Sequence, residues 1–173
     1  MRLFVAASVP IELREKLREK SAEIAGDGIK LVEPENMHIT LRFLGEISDE
    51  KEIVQRLKDI KFERFRCAVR GIGAFPSQDY IKVIWAGVES NGKLEDLAAK
   101  VSSALEGLPG DGRFSAHVTM ARVRKKVDLK KFIEENNDEF GEFEVESFEL
   151  IKSALSPKGP EYSLIEKFHA EEM

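Results

Sequence analysis

Asn36-Met37-His38-Ile39-Thr40-Leu41-Arg42-Phe43-Leu44-Gly45 reads as a β-strand. Ile39, Leu41 and Phe43 recur with the period of two that sends successive side chains to opposite faces. They predict a core face. His38, Thr40 and Arg42 fall on the other. The imidazole and the hydroxyl stand two residues apart, roughly 7 Å between Cα atoms, so both enter the same space. That arrangement suits a proton-transfer group held beside an anion. The pattern returns at Ala116-His117-Val118-Thr119-Met120, with Val118 and Met120 on one face and His117 and Thr119 on the other. Two of the three histidines stand in this setting.

Outward from these strands, residues 2–9 predict a strand. Pro10 opens a helix carrying Leu13, Leu17 and Ile24, which Gly26 and Gly28 end. A short extended piece, 30–32, and a turn at 33–35 lead into the His38 strand, which Gly45 closes. Ser48-Asp49-Glu50 caps a second helix with Ile53, Val54, Leu57 and Ile60 on its apolar side. Strands at 63–75 and 80–88 follow, joined by Pro76-Ser77-Gln78-Asp79. A helix is predicted at 92–106, a loop at Leu108-Pro109-Gly110-Asp111-Gly112, then the His117 strand. Next come a helix at about 128–138 with Leu129, Phe132 and Ile133, a strand at 142–154, a turn at 156–160 and a last strand at 162–168.

His117 follows His38 by 79 residues. The same offset carries the strand at 2–9 onto 81–88, the helix start near 49 onto 128, and the strand start near 63 onto 142. This is far longer than solenoid periods. It reads as a duplicated βαβαβ unit with an extra closing strand. The expected architecture is one α+β domain over residues 1–173, bilobal, with mainly antiparallel sheets about a pseudo-twofold axis. Such an axis brings His38, Thr40, His117 and Thr119 to a central cleft.

Composition narrows the function classes. The chain has 173 residues, 42% of them hydrophobic, enough for one domain with a true core. No apolar run approaches 18 residues, so no membrane span is expected. The N-terminal run lacks a signal peptide's long apolar stretch and cleavage site. The single Cys67 reads as a small core residue in a reducing cytoplasm. Charged residues reach 34%, with Glu and Lys dominant and Gln scarce, which leans toward a thermophile. The net charge of −5 argues against a protein that coats long nucleic acid. Positive charge still clusters at Arg122, Arg124, Lys125, Lys126, Lys130 and Lys131. It reads either as a solvated loop and helix face or as a phosphate-attracting rim.

Two imidazoles can divide a reaction, one taking a proton and the other giving one. Threonine hydroxyls can donate to oxygens that gain charge in the transition state. An internal phosphodiester suits this set, with attack on one side of phosphorus and an alkoxide leaving on the other. Two histidines without clustered Cys or acidic partners make a poor zinc set, and no other cofactor is implied. No nucleophile elbow or Walker loop is present. His169, in the tail, is expected on the surface. Burial lowers a histidine's pKa and bound phosphate raises it, so the two limbs of a bell-shaped rate profile are expected on either side of neutrality.

His38-Ile39-Thr40-Leu41 and His117-Val118-Thr119-Met120 resemble the paired H-x-T/S-x motifs of the two-histidine (2H) phosphoesterases. The nearest likeness is to the RNA 2′,3′-cyclic phosphodiesterase group, also called the 2′-5′ RNA ligase family. Arg2-Leu3-Phe4-Val5-Ala6, the run 34–45 and Ser156-Pro157-Lys158-Gly159-Pro160-Glu161-Tyr162 are similar to that group too. The resemblance implies a bilobal α+β fold and metal-independent hydrolysis of a ribose 2′,3′-cyclic phosphate to a 2′-phosphate. It also implies reversible 2′-5′ joining of tRNA halves as an alternative activity. A third reading is an RNA-end-binding protein without turnover. The expected partner is RNA with a cyclic phosphate end, tRNA fragments included, met by a monomer away from membranes. The family often places an arginine shortly after the second motif, and Arg122 stands there. Strict alternation puts it on the face opposite His117, reaching the cleft only if the strand bends near Ala121.

Overall fold

The computed structural model describes residues 1–110 and 113–172. Asp111 and Gly112, the end of the expected loop, and Met173 of the tail lie outside the described residues. Nine strands and four α-helices follow in the order β1 (Arg2–Ser8), α1 (Ile11–Ala22), β2 (Ile29–Leu31), a 3-10 turn (Pro34–Asn36), β3 (His38–Glu46), α2 (Glu50–Lys58), β4 (Phe65–Pro76), β5 (Ile81–Glu89), α3 (Lys93–Ala104), β6 (His117–Val123), α4 (Lys130–Glu135), β7 (Glu139–Val145), β8 (Ser147–Ser156) and β9 (Gly159–His169). The strands form two antiparallel sheets, ordered β3-β1-β8-β9 and β2-β6-β5-β4-β7. They meet where β3 approaches β6. The α+β class with antiparallel sheets is therefore as expected.

Each helix sits on a sheet through its apolar stripe. α1 buries Leu13 and Leu17. α2 starts where the Asp49 carboxylate accepts from the Lys51 amide at 3.0 Å, satisfying a donor the helix cannot. Its first turn holds Glu50 and Glu52 and its last Arg56 and Lys58, matching the helix dipole. α3 buries Leu94, Leu97, Ala98 and Val101, the stripe read from its sequence. α4 is shorter than predicted, Lys130–Glu135 instead of 128–138, and buries only Ile133. Among the described residues no helix is long and apolar enough to cross a membrane.

Two expectations about strands fail. The segment at 142–154 is two strands, not one. β7 pairs with β4 in the five-stranded sheet and β8 with β1 in the four-stranded sheet, so the chain changes sheets at Glu146. Gly45 does not close β3. It lies within the strand at φ +72, a conformation glycine adopts without a Cβ penalty.

The decisive departure is in the pleat. β1 pairs Val5 with Arg42 but Ala6 with Thr40, leaving Leu41 as an extra residue in β3. β5 pairs Ile84 with Ala121 but Trp85 with Thr119, leaving Met120 extra in β6. A β-bulge of this kind exchanges the faces of every residue beyond it. Phe43, predicted in the core, is instead 56% exposed. Arg42, predicted beside His38, is buried. Its Nη1 donates to the Ser102 carbonyl at 3.3 Å, and its Nη2 to those of Leu108 and Pro109 at 2.9 and 3.2 Å.

Candidate active site

Before the bulges, β3 and β6 alternate as the sequence predicts. Ile39 and Val118 are fully buried, while His38, Thr40, His117 and Thr119 are half-buried on the opposite face. The two rings are held alike. His117 Nδ1 lies 2.7 Å from the Ser115 carbonyl. A carbonyl only accepts, so Nδ1 carries the hydrogen and Nε2 is left for chemistry. The His38 ring has a backbone hydrogen bond of its own, at Asn36 two residues upstream.

Aromatic rings complete each seat. Phe4 stacks on His38 with centroids 4.8 Å apart, and the edge of Tyr162 meets it at 5.3 Å. His117 meets the Phe75 ring at 5.2 Å and the Trp85 ring at 6.3 Å. The Trp85 indole lies across Gly73, where a Cβ would come within 2.2 Å of the ring. Sequence reasoning missed these four rings. Alternation along β1 and β5 could have placed Phe4 with Ser8 and Trp85 with Gly87, the residues opposite the two histidines.

Arg122 reaches the cleft. After the bulge at Met120, Ala121 turns inward and is fully buried, and Arg122 returns to the His117 face. Its positive charge disfavours the protonated form of both histidines. His38 is lowered to about 4, first by burial, against the opposing Asn36 hydrogen bond, with added repulsion from His117 and Arg122. His117 is also lowered, mainly by burial, against its bond to Ser115, with Arg122 adding. The two imidazoles are therefore neighbours in one field. The cleft differs here from the expected spread about neutrality, because in the free protein burial outweighs the backbone bonds at both rings. Among the described residues the side chains of Thr40, Thr119 and Arg122 make no hydrogen bond or ion pair with the protein, which leaves their donors for a ligand.

Half of the expected basic rim is paired with carboxylates. Lys125 pairs with Asp27, Lys130 with Asp79 at 2.8 Å and Lys131 with Glu135 at 3.8 Å. His169 is exposed at the end of β9. Among the described residues, no three of His, Cys, Asp and Glu converge as a metal-binding group.

Two half-buried imidazoles, two unengaged hydroxyls and one arginine thus face one cleft. The family model described as LigT-like phosphoesterase matches residues 5–85. A protein of Archaeoglobus fulgidus named RNA 2′,3′-cyclic phosphodiesterase is 43% identical, over 97% of this chain and 99% of the relative. One of the same name from Methanocaldococcus jannaschii is 37% identical, over 97% of this chain and all of the relative. The crystal structure of E. coli LigT complexed with 3′-AMP superimposes with a TM-score of 0.83 at 25% identity, covering 99% of this chain and 98% of that one. A Thermus thermophilus structure matches with a TM-score of 0.78 at 35% identity, covering 98% and 97%. This chain belongs to the LigT-like, two-histidine phosphoesterases.

Proposed function

We propose that the cleft hydrolyses the 2′,3′-cyclic phosphate at an RNA end to a 2′-phosphate. The observation that carries this reading is the matched pair of backbone-bonded histidines sharing one field with Arg122. The names of the curated relatives and the 3′-AMP in E. coli LigT support the substrate class. Water attacks phosphorus as the P–O3′ bond breaks. One imidazole takes the proton of the water, and the other, as imidazolium, gives its proton to O3′. Thr40 and Thr119 donate to the non-bridging oxygens, and Arg122 offsets their charge. Which imidazole is the base is read from the pH profile of the single variants, since loss of the acidic limb marks the base and loss of the alkaline limb the acid. The same steps with the 5′-hydroxyl of a second RNA in place of water break the same P–O3′ bond and leave a 2′-5′ linkage, so joining of RNA ends, tRNA halves among them, is the alternative activity, and its reverse cleaves that linkage.

The test is a short RNA ending in 2′,3′-cyclic phosphate, incubated with the protein in excess chelator. A new 2′-phosphate end is the expected product. Joined ends would favour ligation, and bound but unchanged RNA would overturn catalysis. Recovery of a chelator-dead enzyme by zinc or manganese would overturn the two-histidine mechanism.

A further inference from the structure

Arg122 does not stand alone on its face of the five-stranded sheet. The edge strand β2 pairs with β6, and in that ladder Lys30 lies directly opposite Arg122. Side chains so paired point the same way, roughly 5 Å apart at Cβ. Lys30 therefore shares the cleft face with Arg122 and His117. Contacts with the other sheet agree. Gly159, in the β8–β9 hairpin, comes so close that a Cβ there would lie 3.3 Å from Lys30 Nζ. One residue on, the Pro160 carbonyl accepts from Asn36 Nδ2 at 3.3 Å, and Tyr162 meets the His38 ring. The hairpin thus reaches past His38 to the ammonium of Lys30. Arg124 extends the row outward. Val123 is buried, so alternation returns Arg124 to the Arg122 face, roughly 7 Å further along. Its amide still donates to the Gly28 carbonyl at 2.7 Å, which keeps it in step with the chain of β2.

These cations differ from the rest of the basic run. Lys125, Lys130 and Lys131 each meet a carboxylate. Among the described residues the side chains of Lys30, Arg122 and Arg124 make no hydrogen bond or ion pair. Carboxylates nearby in sequence are engaged elsewhere, Asp27 with Lys125 and Glu33 with Arg18. Lys30 and Arg124 are both exposed. Like charges directly opposite one another destabilise a sheet, so the Lys30/Arg122 pair opposes folding. A row of unscreened cations, kept in a chain of net charge −5, gains when a polyanion lies along it.

We infer that the β2–β6 edge is a track for the RNA chain behind its reactive end. With the cyclic phosphate at Arg122, the phosphodiesters that precede it lie at Lys30 and Arg124. Contacts to phosphates carry no base identity, so the track positions the chain without selecting its sequence. It makes an RNA end a better substrate than a free cyclic mononucleotide, which has no phosphate to place there. The inference rests on the cyclic-phosphate reading above and goes beyond it.

The experiment compares adenosine 2′,3′-cyclic phosphate with a 5′-hydroxyl trinucleotide carrying the same cyclic end, over a range of salt. The proteins are wild type, Lys30→Gln, Lys30→Arg, Arg124→Gln, the double variant Lys30→Gln/Arg124→Gln, and Lys131→Gln as a control on a paired cation. Thermal melting checks that each is folded. Wild type is expected to favour the trinucleotide in kcat/KM, with the steeper salt dependence. Lys30→Gln lowers kcat/KM several-fold on the trinucleotide alone, and Lys30→Arg restores it. Lys30→Gln and Arg124→Gln each reduce the log–log salt slope for that substrate by about 0.7, one phosphate contact on a single strand, and the double variant by about twice that. Lys131→Gln leaves the slope as it is. Equal wild-type slopes on the two substrates would overturn the inference. So would a Lys30→Gln effect that is the same on both, or a Lys131→Gln effect as large as that of Lys30→Gln. A wild type that cleaves neither substrate would instead overturn the cyclic-phosphate reading.

Discussion

β3 and β6 start alike and end differently. Each presents His-x-Thr, each ties its imidazole to the backbone two residues upstream, and each takes a bulge one residue after the threonine. Beyond the bulge they diverge. β6 turns Arg122 into the cleft above a buried Ala121, whereas β3 turns out Phe43 and buries Arg42. The lobes thus share the His/Thr pair and divide the rest, with charge on the His117 side and an aromatic face on the His38 side. Acid–base work on one phosphorus calls for two like groups. A ribonucleotide is unlike at its two ends.

The shared part should give the largest effects. His38→Ala and His117→Ala are each expected to lower kcat by 10²–10⁴-fold, the usual worth of one general acid or base, with circular dichroism unchanged. A variant that unfolds would make its histidine a structural residue. The divergent part comes next. Arg122→Ala should cost on the order of 10²-fold in kcat/KM, as for a preorganised donor at a developing oxyanion. An unchanged kcat/KM would remove Arg122 from the phosphate site.

pH sharpens the comparison, because His38 is the more depressed of the pair. The unfolded chain binds this proton near pH 6.5 and the folded one only near 4. The unfolded state therefore gains protons first as pH falls. Stability is full above about 6.5 and falls through the window down to about 4, by roughly 3 kcal/mol from this group. Denaturant titrations of wild type and His38→Ala across that window should differ by this slope. In kcat/KM the general acid must be protonated. Because both pKa values are lowered, the alkaline limb should fall below neutrality, and bound phosphate should raise it again in kcat. A wild-type profile flat from about pH 5 to 9, with chemistry rate-limiting, would break the paired mechanism. The smallest effect belongs to the buried arginine. Arg42→Met should lower stability by about 2 kcal/mol, since it strips a charged donor from three carbonyls.

The His/Thr pairs, the helical stripes and most strands were legible because each is a local pattern. The bulges were not. Period two is a property of one strand, whereas an extra residue is defined only against its neighbour, and Leu41 and Met120 are ordinary apolar strand residues. One unseen residue in each strand sufficed to misplace Phe43, Arg42 and Arg122. The break at Glu146 was hidden for a similar reason. Val145-Glu146-Ser147 holds no glycine or proline, and the chain stays extended while changing sheets. The basic run was visible as charge, but its carboxylate partners Asp27 and Asp79 are distant in sequence.

The sheet order has a mechanical corollary. β4, from the His38 half of the chain, lies between β5 and β7, and β8, from the His117 half, lies against β1. A nick in the turn after Pro76 would not free two modules. The first fragment would leave with β2 and β4, both needed by the sheet of the second, and the second with β8 and β9, which complete the sheet of the first. The pieces should remain associated without a covalent link, and neither should fold alone. The chain passes between the sheets from β1 to β2, β2 to β3, β3 to β4 and β7 to β8, so the jaws that hold the two imidazoles are laced together by covalent crossings and not joined by one hinge.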